Sequence, residues 1–381
     1  MGFKVRNEVV AEKTAMRDAF CQTLIELAKK DDRICLLDAD LMGAMGTKPF
    51  AKELPQRTVD CGIQEANMIG VAAGLSAEGK IPFAHTFGIF ATRRACDQIF
   101  VSCAYAGRTV KIIGSDPGVT AALNGGTHMP FEDLGIMRGM PEVTVIEPTD
   151  VTMLKDLLPK IAAKPGVDYL RLVRKSCEAI YEEGSTFEIG KANVLREGDD
   201  VAIIAMGYCV GQALIAAKEL EEKGIKATVI DMFTLKPLDR QAVIDAAKKT
   251  GTVVTVENHY VNNGLGSAVA EVLCEECPTP LIRLGSQDKF GEVGSRDFLA
   301  AKFGINAEAI VKAAEKAVKK DVKSVEKTVK ADAVKAEADV RKAEKDLKTD
   351  VKKVDNKVKA DVKKVEKELR KEEGKLTESF Y

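Results

Sequence analysis

Asp60-Cys61-Gly62-Ile63-Gln64-Glu65-Ala66-Asn67-Met68, followed by the small-residue run Ile69 to Gly74, is the stretch that decides the fold. A β-rich segment, Arg57 to Cys61, ends at Gly62, and a helical pattern begins at once. The spacing predicts a helix over Gln64 to Glu78, with Glu65 in its first turn. That turn opens at the carboxyl end of a parallel strand, where α/β folds place their ligand sites. An acid there also has a plain role, because the helix dipole favours negative charge at its amino end. The company Glu65 keeps must decide between the two.

Outward from this point the same rhythm continues. Upstream lie a helix over Ala15 to Lys29 and a buried strand over Ile34 to Asp38. Downstream come strand Ile81 to His85, helix Arg93 to Ala104 and strand Val110 to Gly114. A glycine-rich loop, a strand near Val143 to Ile146, a helix near Val151 to Ile161 and strand Tyr169 to Arg174 complete the series. Such alternation predicts an α/β, doubly wound, mostly parallel sheet over residues 1–178. The polar stretch Ser176 to Gly184 marks a boundary. A second α/β domain is expected over 186–318, with strands at Val201 to Ala205, Ala227 to Ile230, Thr252 to Glu257 and Leu281 to Leu284. Its helices fall near Val210 to Lys223, Arg240 to Lys249 and Gly266 to Glu276.

Composition narrows the function. The chain has 381 residues, 45% of them hydrophobic, so it can bury one or two such cores. Its net charge of −1 carries no nucleic-acid signal. No apolar run approaches the roughly 18–20 residues of a membrane span. Met1-Gly2-Phe3-Lys4-Val5-Arg6 lacks an apolar signal core, so a cytoplasmic protein is expected. Nine cysteines are scattered, as in Ile34-Cys35-Leu36-Leu37, which suits a reducing compartment. Cys274 and Cys277 form a CxxC on a predicted helix with no second pair or nearby histidine, so no metal is assigned to this chain.

Two further segments follow Glu65: Thr86-Phe87-Gly88-Ile89-Phe90-Ala91-Thr92-Arg93-Arg94-Ala95-Cys96-Asp97-Gln98 and Asn124-Gly125-Gly126-Thr127-His128. The ordered set resembles the pyrimidine-binding half of transketolase. Glu257-Asn258-His259, Gly264 to Glu271 and Asp288-Lys289-Phe290-Gly291-Glu292 resemble the C-terminal domain of the same group. The likeness covers residues from about 8 to 318, the C-terminal half of a full transketolase. It implies thiamine diphosphate as cofactor. Glu65 would touch the N1′ nitrogen of its aminopyrimidine and stabilise the imino form, whose nitrogen removes the thiazolium proton; that work requires a close, desolvated carboxyl. Phe90 would stack on the pyrimidine, with Phe87 and Arg93 completing its surroundings. Gln98, and Asp40 at a subunit interface, are further cofactor candidates. His128 would bond a substrate oxygen, and Arg17 and Arg174 would clamp a sugar phosphate.

The departures from the family pattern bear on the substrate. Asp116 stands where a histidine is common, Ala122-Leu123-Asn124 where Gly-Glu-Asp is common, and Ala44 where a phosphate-binding serine is usual. Asp116 and Asn124 are therefore expected at the substrate pocket, and Asp116 adds charge of the wrong sign for a phosphate. An unusual ketose or aldehyde is implied.

The chain also lacks the Gly-Asp-Gly motif and downstream asparagine that hold the diphosphate and its metal in thiamine enzymes. The resemblance thus implies a split enzyme. A separate N-terminal subunit would carry the diphosphate and most of the magnesium (or calcium) site, in an α2β2 assembly. Its reaction would be two-carbon ketol transfer between ketose and aldose phosphates, as in pentose phosphate metabolism. A 1-deoxyxylulose-5-phosphate synthase-like enzyme, a 2-oxo-acid dehydrogenase β-subunit and a non-catalytic partner-binding subunit are the alternatives.

From residue 319 to 381 Lys, Asp, Glu, Ala and Val dominate, and the family pattern has no counterpart. Val318, Val329, Val340, Val351 and Val362 recur every 11 residues. That period fits a long, nearly straight or right-handed helix, read as a solvated single helix held by charge pairs at i,i+4. A coiled-coil or membrane-surface role is the alternative, against which stands an apolar stripe that is thin and free of aromatics until Phe380.

Overall fold

The computed structural model describes residues 2–175 and 177–378. Ser176, Phe380 and Tyr381, and the side chain of Val329, lie outside the described part. By contacts the chain divides into two units, Met1–Asp321 and Val322–Tyr381.

In chain order the strands are β1 (Val5–Ala11), β2 (Ile34–Asp38), β3 (Thr58–Asp60), β4 (Ile81–Phe87), β5 (Val110–Ser115), β6 (Thr144–Ile146) and β7 (Val167–Leu172). They continue with β8 (Glu178–Tyr181), β9 (Asn193–Arg196), β10 (Val201–Ala205), β11 (Ala227–Asp231), β12 (Thr234–Lys236), β13 (Val253–Tyr260) and β14 (Leu281–Ser286). One sheet has the order β12-β6-β7-β5-β4-β2-β3, and a second has the order β14-β13-β10-β11-β9. All neighbours in the first sheet run parallel except β12 beside β6, and all in the second except β9 beside β11. The α/β architecture read from the sequence is the one the chain adopts.

Helices on both faces explain the continuous apolar strands. Every residue of β2, β4 and β5 is buried. On one face, Leu36, Phe83 and Ile113 pack with Phe20 and Leu24 of the helix Met16–Lys30 and with Leu154 and Leu157 of Val151–Ala163. On the other, Leu37, Ala84 and Ile112 pack with Met68, Ile69 and Ala72 of the helix Glu65–Ala77. The chain runs from β2 outward to β3 and then returns across β2 to β4. That reversal is a topological switch point, and it opens a crevice at the strands' carboxyl ends.

Several local expectations change. The single helix expected over Arg93 to Ala104 is two pieces, Cys96–Gln98 and a π-helix at Ile99–Tyr105, and a separate short helix, Gly88–Thr92, precedes it. Ala95, at φ −123° and ψ 15°, breaks the helical path. Within the wider π turn, Ile99 and Cys103 remain buried. Arg174 does not end a strand: β7 stops at Leu172. The polar stretch expected as a boundary contains β8, which pairs antiparallel with β1. Strand β12 follows β11 in sequence but joins the other sheet, pairing with β6. A three-residue edge strand has too few residues to show an alternating pattern.

The terminal helix spans Ala307–Glu378. Its first turns bury Ile310, Val311, Ala314 and Ala317. Farther on, Leu347, Val351, Val354, Val358, Val362, Val365 and Leu369 are all at least half exposed. Their steps of three and four put three apolar residues in each 11, so the 11-residue valine recurrence understated this face. Charge pairs such as Lys359 with Asp355 line the helix at 2.7 Å. Deleting residues 322–381 is expected to leave cofactor affinity and turnover of the assembled enzyme intact. Paired kinetics and solution mass of full and truncated chains check this; lost activity would place the segment in the catalytic assembly.

Candidate active site

The site begins with three acids at the ends of β2 and β3. Asp38 is wholly buried, and its carboxylate accepts from the Leu41 amide at 2.5 Å. Burial pushes its pKa up to about 6. The turn it shapes leaves Asp40 exposed, at φ 60°. Asp60 ties the two strand ends together, accepting from the amides of Asp40 and Gly62 at 3.0 Å each. Gly62, at φ 68°, turns the chain so that the next helix begins at Glu65. Glu65 consequently lies on the covered side of that helix, only 4% exposed.

Opposite it stands an aromatic wall. Phe87 closes β4 and Phe90 sits on the short helix that follows, their ring centroids 5.9 Å apart. His128 presents its ring edge-on to both, 5.7 Å from Phe87 and 5.3 Å from Phe90. Burial, helped by the charges of Arg94 and Arg174, lowers the His128 pKa and so favours the neutral ring. Thr127 Oγ1 lies 2.9 Å from its Nδ1, within hydrogen-bond reach.

Arg94, which the sequence reading passed over, completes this cluster. Its Nη1 donates to Glu65 Oε1 at 2.9 Å. Its guanidinium carbon lies 3.8 Å from the Phe90 ring centre. Arg93 points elsewhere and pairs with Glu132 at 3.0 Å. Gln98 is half-buried at the end of the next short helix. Two adjacent arginines were the available signal, but only the break at Ala95 decides which one reaches Glu65.

The His128 loop is strained and braced from the second half of the chain. Asp116 and Ala122 have φ of 58° and 47°, conformations costing about 1–3 kcal/mol each. Asn258 holds the loop, accepting from the Val119 amide and donating to the Pro117 carbonyl, both at 2.8 Å. A Cβ on Gly118 would meet Asn258 Oδ1 at 2.1 Å, and one on Gly126 would meet the Gly291 carbonyl at 2.1 Å. The motifs around Asn258 and Gly291 thus set the shape of a loop more than 130 residues earlier.

At the far side, Arg174 Nε pairs with Asp116 Oδ2 at 2.9 Å, and its guanidinium lies 5.2 Å from the Phe87 ring. Burial pushes the Asp116 carboxyl up, while the charges of Arg174, Lys175 and Arg17 pull it back. Arg17 Nη1 donates to the Ala44 carbonyl at 2.7 Å, and its Nε pairs with Asp18. Asn124 is exposed at the end of the loop's 3-10 segment Gly118–Asn124. Glu65, Arg94, Phe90, Phe87, His128, Arg174 and Asp116 are therefore joined by one chain of contacts, with the charge of Arg17 acting on its last member. Asp40, Asn124, Gln98 and Arg93 do not belong to that chain.

The crevice fits an aminopyrimidine. A planar, N–H-donating cation already rests on Phe90 while bonding Glu65, which is what such a ring requires of its site. Among the described residues, no group of three or more His, Cys, Asp or Glu side chains converges to hold a metal.

Comparison with known proteins gives the same picture. The family model described as "Transketolase, pyrimidine binding domain" matches residues 12–178, and "Transketolase, C-terminal domain" matches 190–310. The chain is similar to the 6-deoxy-6-sulfo-D-fructose transketolase subunit SqwH of Clostridium sp. (strain MSTE9): 54% identical over 307 residues, 81% of this chain and 95% of that one. It is 37% identical over 307 residues to an apulose-4-phosphate transketolase subunit of Phocaeicola vulgatus, covering 80% and 98% of the two chains. A solved structure titled "Split gene transketolase, inactive beta4 tetramer" superposes with a TM-score of 0.74 at 42% identity, covering 81% of this chain and 99% of that one.

Proposed function

The chain belongs to the transketolase family, as a C-terminal subunit of the split type, and from that premise we propose that it transfers a two-carbon ketol unit between a ketose and an aldose. The observation that carries this reading is the buried Glu65 joined to Phe90 through one planar group, the Arg94 guanidinium, which bonds the carboxylate at 2.9 Å and lies 3.8 Å from the ring centre. Thiamine diphosphate, when bound, supplies a nucleophilic thiazolium carbon and an electron sink for the transferred fragment. Glu65 holds a proton at the ring nitrogen, and Phe90 and Phe87 keep water from that contact. Neutral His128 reaches the substrate's carbonyl or hydroxyl oxygen. Asp40, Arg93, Gln98 and Asn124 meet the parts of cofactor and substrate nearer the opening.

The partner we propose is a cytoplasmic N-terminal subunit carrying the diphosphate and magnesium or calcium site, in an α2β2 assembly. Exposed apolar side chains next to the slot favour such a face. Ile63 precedes the Glu65 helix and is 70% exposed; Tyr105, on the π-helix packed against that helix, is 86% exposed. Phe100 and Val101 lie on the same π segment and are also exposed.

The clamp points to the substrate's charge. Arg17 and Arg174 together would suit a dianion such as a phosphate ester, but Asp116 pairs with Arg174 and Asp18 with Arg17, which reduces the positive charge on offer. A reduced charge suits a monoanion, and the 6-deoxy-6-sulfo-D-fructose in the name of the Clostridium relative carries a monoanionic sulfonate. We take that sugar as the donor. Fructose 6-phosphate has nearly the same shape and differs in charge, so the two isolate the effect. The assembled wild type should show the higher kcat/KM with the sulfonate. Asp116→Asn should shift the ratio toward the phosphate by about tenfold, the size of one charge-assisted contact. An unchanged ratio, or a wild type that prefers phosphate esters, contradicts the monoanion assignment.

A further inference from the structure

Arg94 raises a question that the proposed cofactor site leaves open. Its guanidinium already makes both contacts that an aminopyrimidine would make. The hydrogen bond to Glu65 Oε1 is 2.9 Å long, and the stack on Phe90 is 3.8 Å deep. A separation of 3.8 Å is one stacking thickness, so no second plane can enter between the guanidinium and the ring. The other aromatic rings against Phe90 are Phe87, tilted at 49°, and His128, edge-on, set by the backbone of β4 and by the braced loop. An arriving ring must therefore displace the arginine and not the wall.

Arg94 is built to be displaced. Its side chain is 47% exposed, whereas that of Glu65 is 4% exposed. It sits in the break between the helices Gly88–Thr92 and Cys96–Gln98. Arg93 anchors that break to Glu132, so the Arg94 head can turn without moving the backbone. Among the described residues, Glu65 is its hydrogen-bond partner.

We propose that Arg94 is the placeholder of the pyrimidine slot: in the free subunit it occupies the cofactor's position, and loading requires it to swing out to the rim. The proposal rests on the cofactor reading above. Its physical reason lies with Glu65, because a carboxylate so deeply covered is costly without a charged donor. Arg94 supplies that donor while the slot is empty, and the aminopyrimidine supplies it afterwards. Cofactor affinity is thus the difference between two occupants of one place, and it is weaker than the slot could otherwise give.

Calorimetric titration of thiamine diphosphate with magnesium into the full-length chain, assembled with its N-terminal subunit, tests this without measuring turnover. Arg94→Ala should bind about three- to tenfold more tightly, the worth of one partly exposed ion pair no longer broken on loading. Arg94→Lys, which keeps the charge but cannot stack as a plane, should fall between the two. Without cofactor, Arg94→Ala should melt a few degrees below wild type, and saturating cofactor should remove that difference. Unchanged or weaker binding by Arg94→Ala, with wild-type binding still dependent on Glu65, would overturn the placeholder and make Arg94 a fixed support of Glu65. Wild-type binding that is absent, or indifferent to Glu65→Gln, would overturn the cofactor reading and the placeholder with it.

Discussion

Glu65→Gln should lower kcat of the assembled enzyme by about 10²–10⁴, the range for a lost acid–base group. Glutamine keeps the shape of the side chain and can still accept a hydrogen bond from Arg94 or from a ring N–H. It loses the negative charge that favours a proton on the ring nitrogen, and in a site only 4% exposed no water replaces that charge. Folding should scarcely respond. The pair lost is half open to solvent on the Arg94 side, which limits its worth to about 1 kcal/mol or less. Steady-state kinetics beside a melting curve separate the two effects. A variant within about threefold of wild type, under 1 kcal/mol of barrier, would reduce Glu65 to an acid that merely begins a helix.

What could be read from sequence was local. A strand of five buried residues at Ile34–Asp38 needs only its own apolar run to be seen. Gly62 followed by a periodic segment announces a strand-to-helix turn, and with it the position of Glu65. Phe87, Phe90 and His128 were nameable because they lie in short motifs of fixed order. Features that depend on distant packing were not legible. The break at Ala95 and the π-helix after it follow no hydrophobic period, so the sequence alone points to Arg93 beside Phe90, whereas Arg94 is the arginine that lies over that ring. The hold of Asn258 on the His128 loop joins residues 119 and 258, and no local pattern carries such a distance. The crossing of β12 into the first sheet is likewise a tertiary event, decided by the edge of β6. The pairing of Arg174 with Asp116 was hidden for the same reason: each residue read alone as a pocket candidate, and only the fold shows that one tempers the charge of the other.

Dependence on a second subunit carries the other large expected effect. The site holds two carboxylates, Glu65 and Asp116, an aromatic wall and three arginines, each already paired with an acid: Arg94 with Glu65, Arg174 with Asp116 and Arg17 with Asp18. A diphosphate with its divalent cation needs carboxylate and carbonyl oxygens around the metal. In the proposed assembly the N-terminal subunit supplies those groups, so the chain by itself should bind thiamine diphosphate weakly and turn over nothing. Mixing the two subunits should create activity from none, with the transferred fragment moving between residues of both chains.

The most direct test uses a ketose donor labelled with ¹³C at carbons 1 and 2, an unlabelled aldose acceptor, thiamine diphosphate and magnesium. The full-length chain is assayed alone and then together with an N-terminal subunit. No transfer is expected from the chain alone. With the partner, the acceptor should be lengthened by two labelled carbons, and most of that signal should be lost when Glu65→Gln replaces the wild type. Robust label transfer by the chain alone, or an assembled pair that binds the cofactor yet moves no two-carbon unit from any ketose, would contradict two-carbon transfer by a split enzyme.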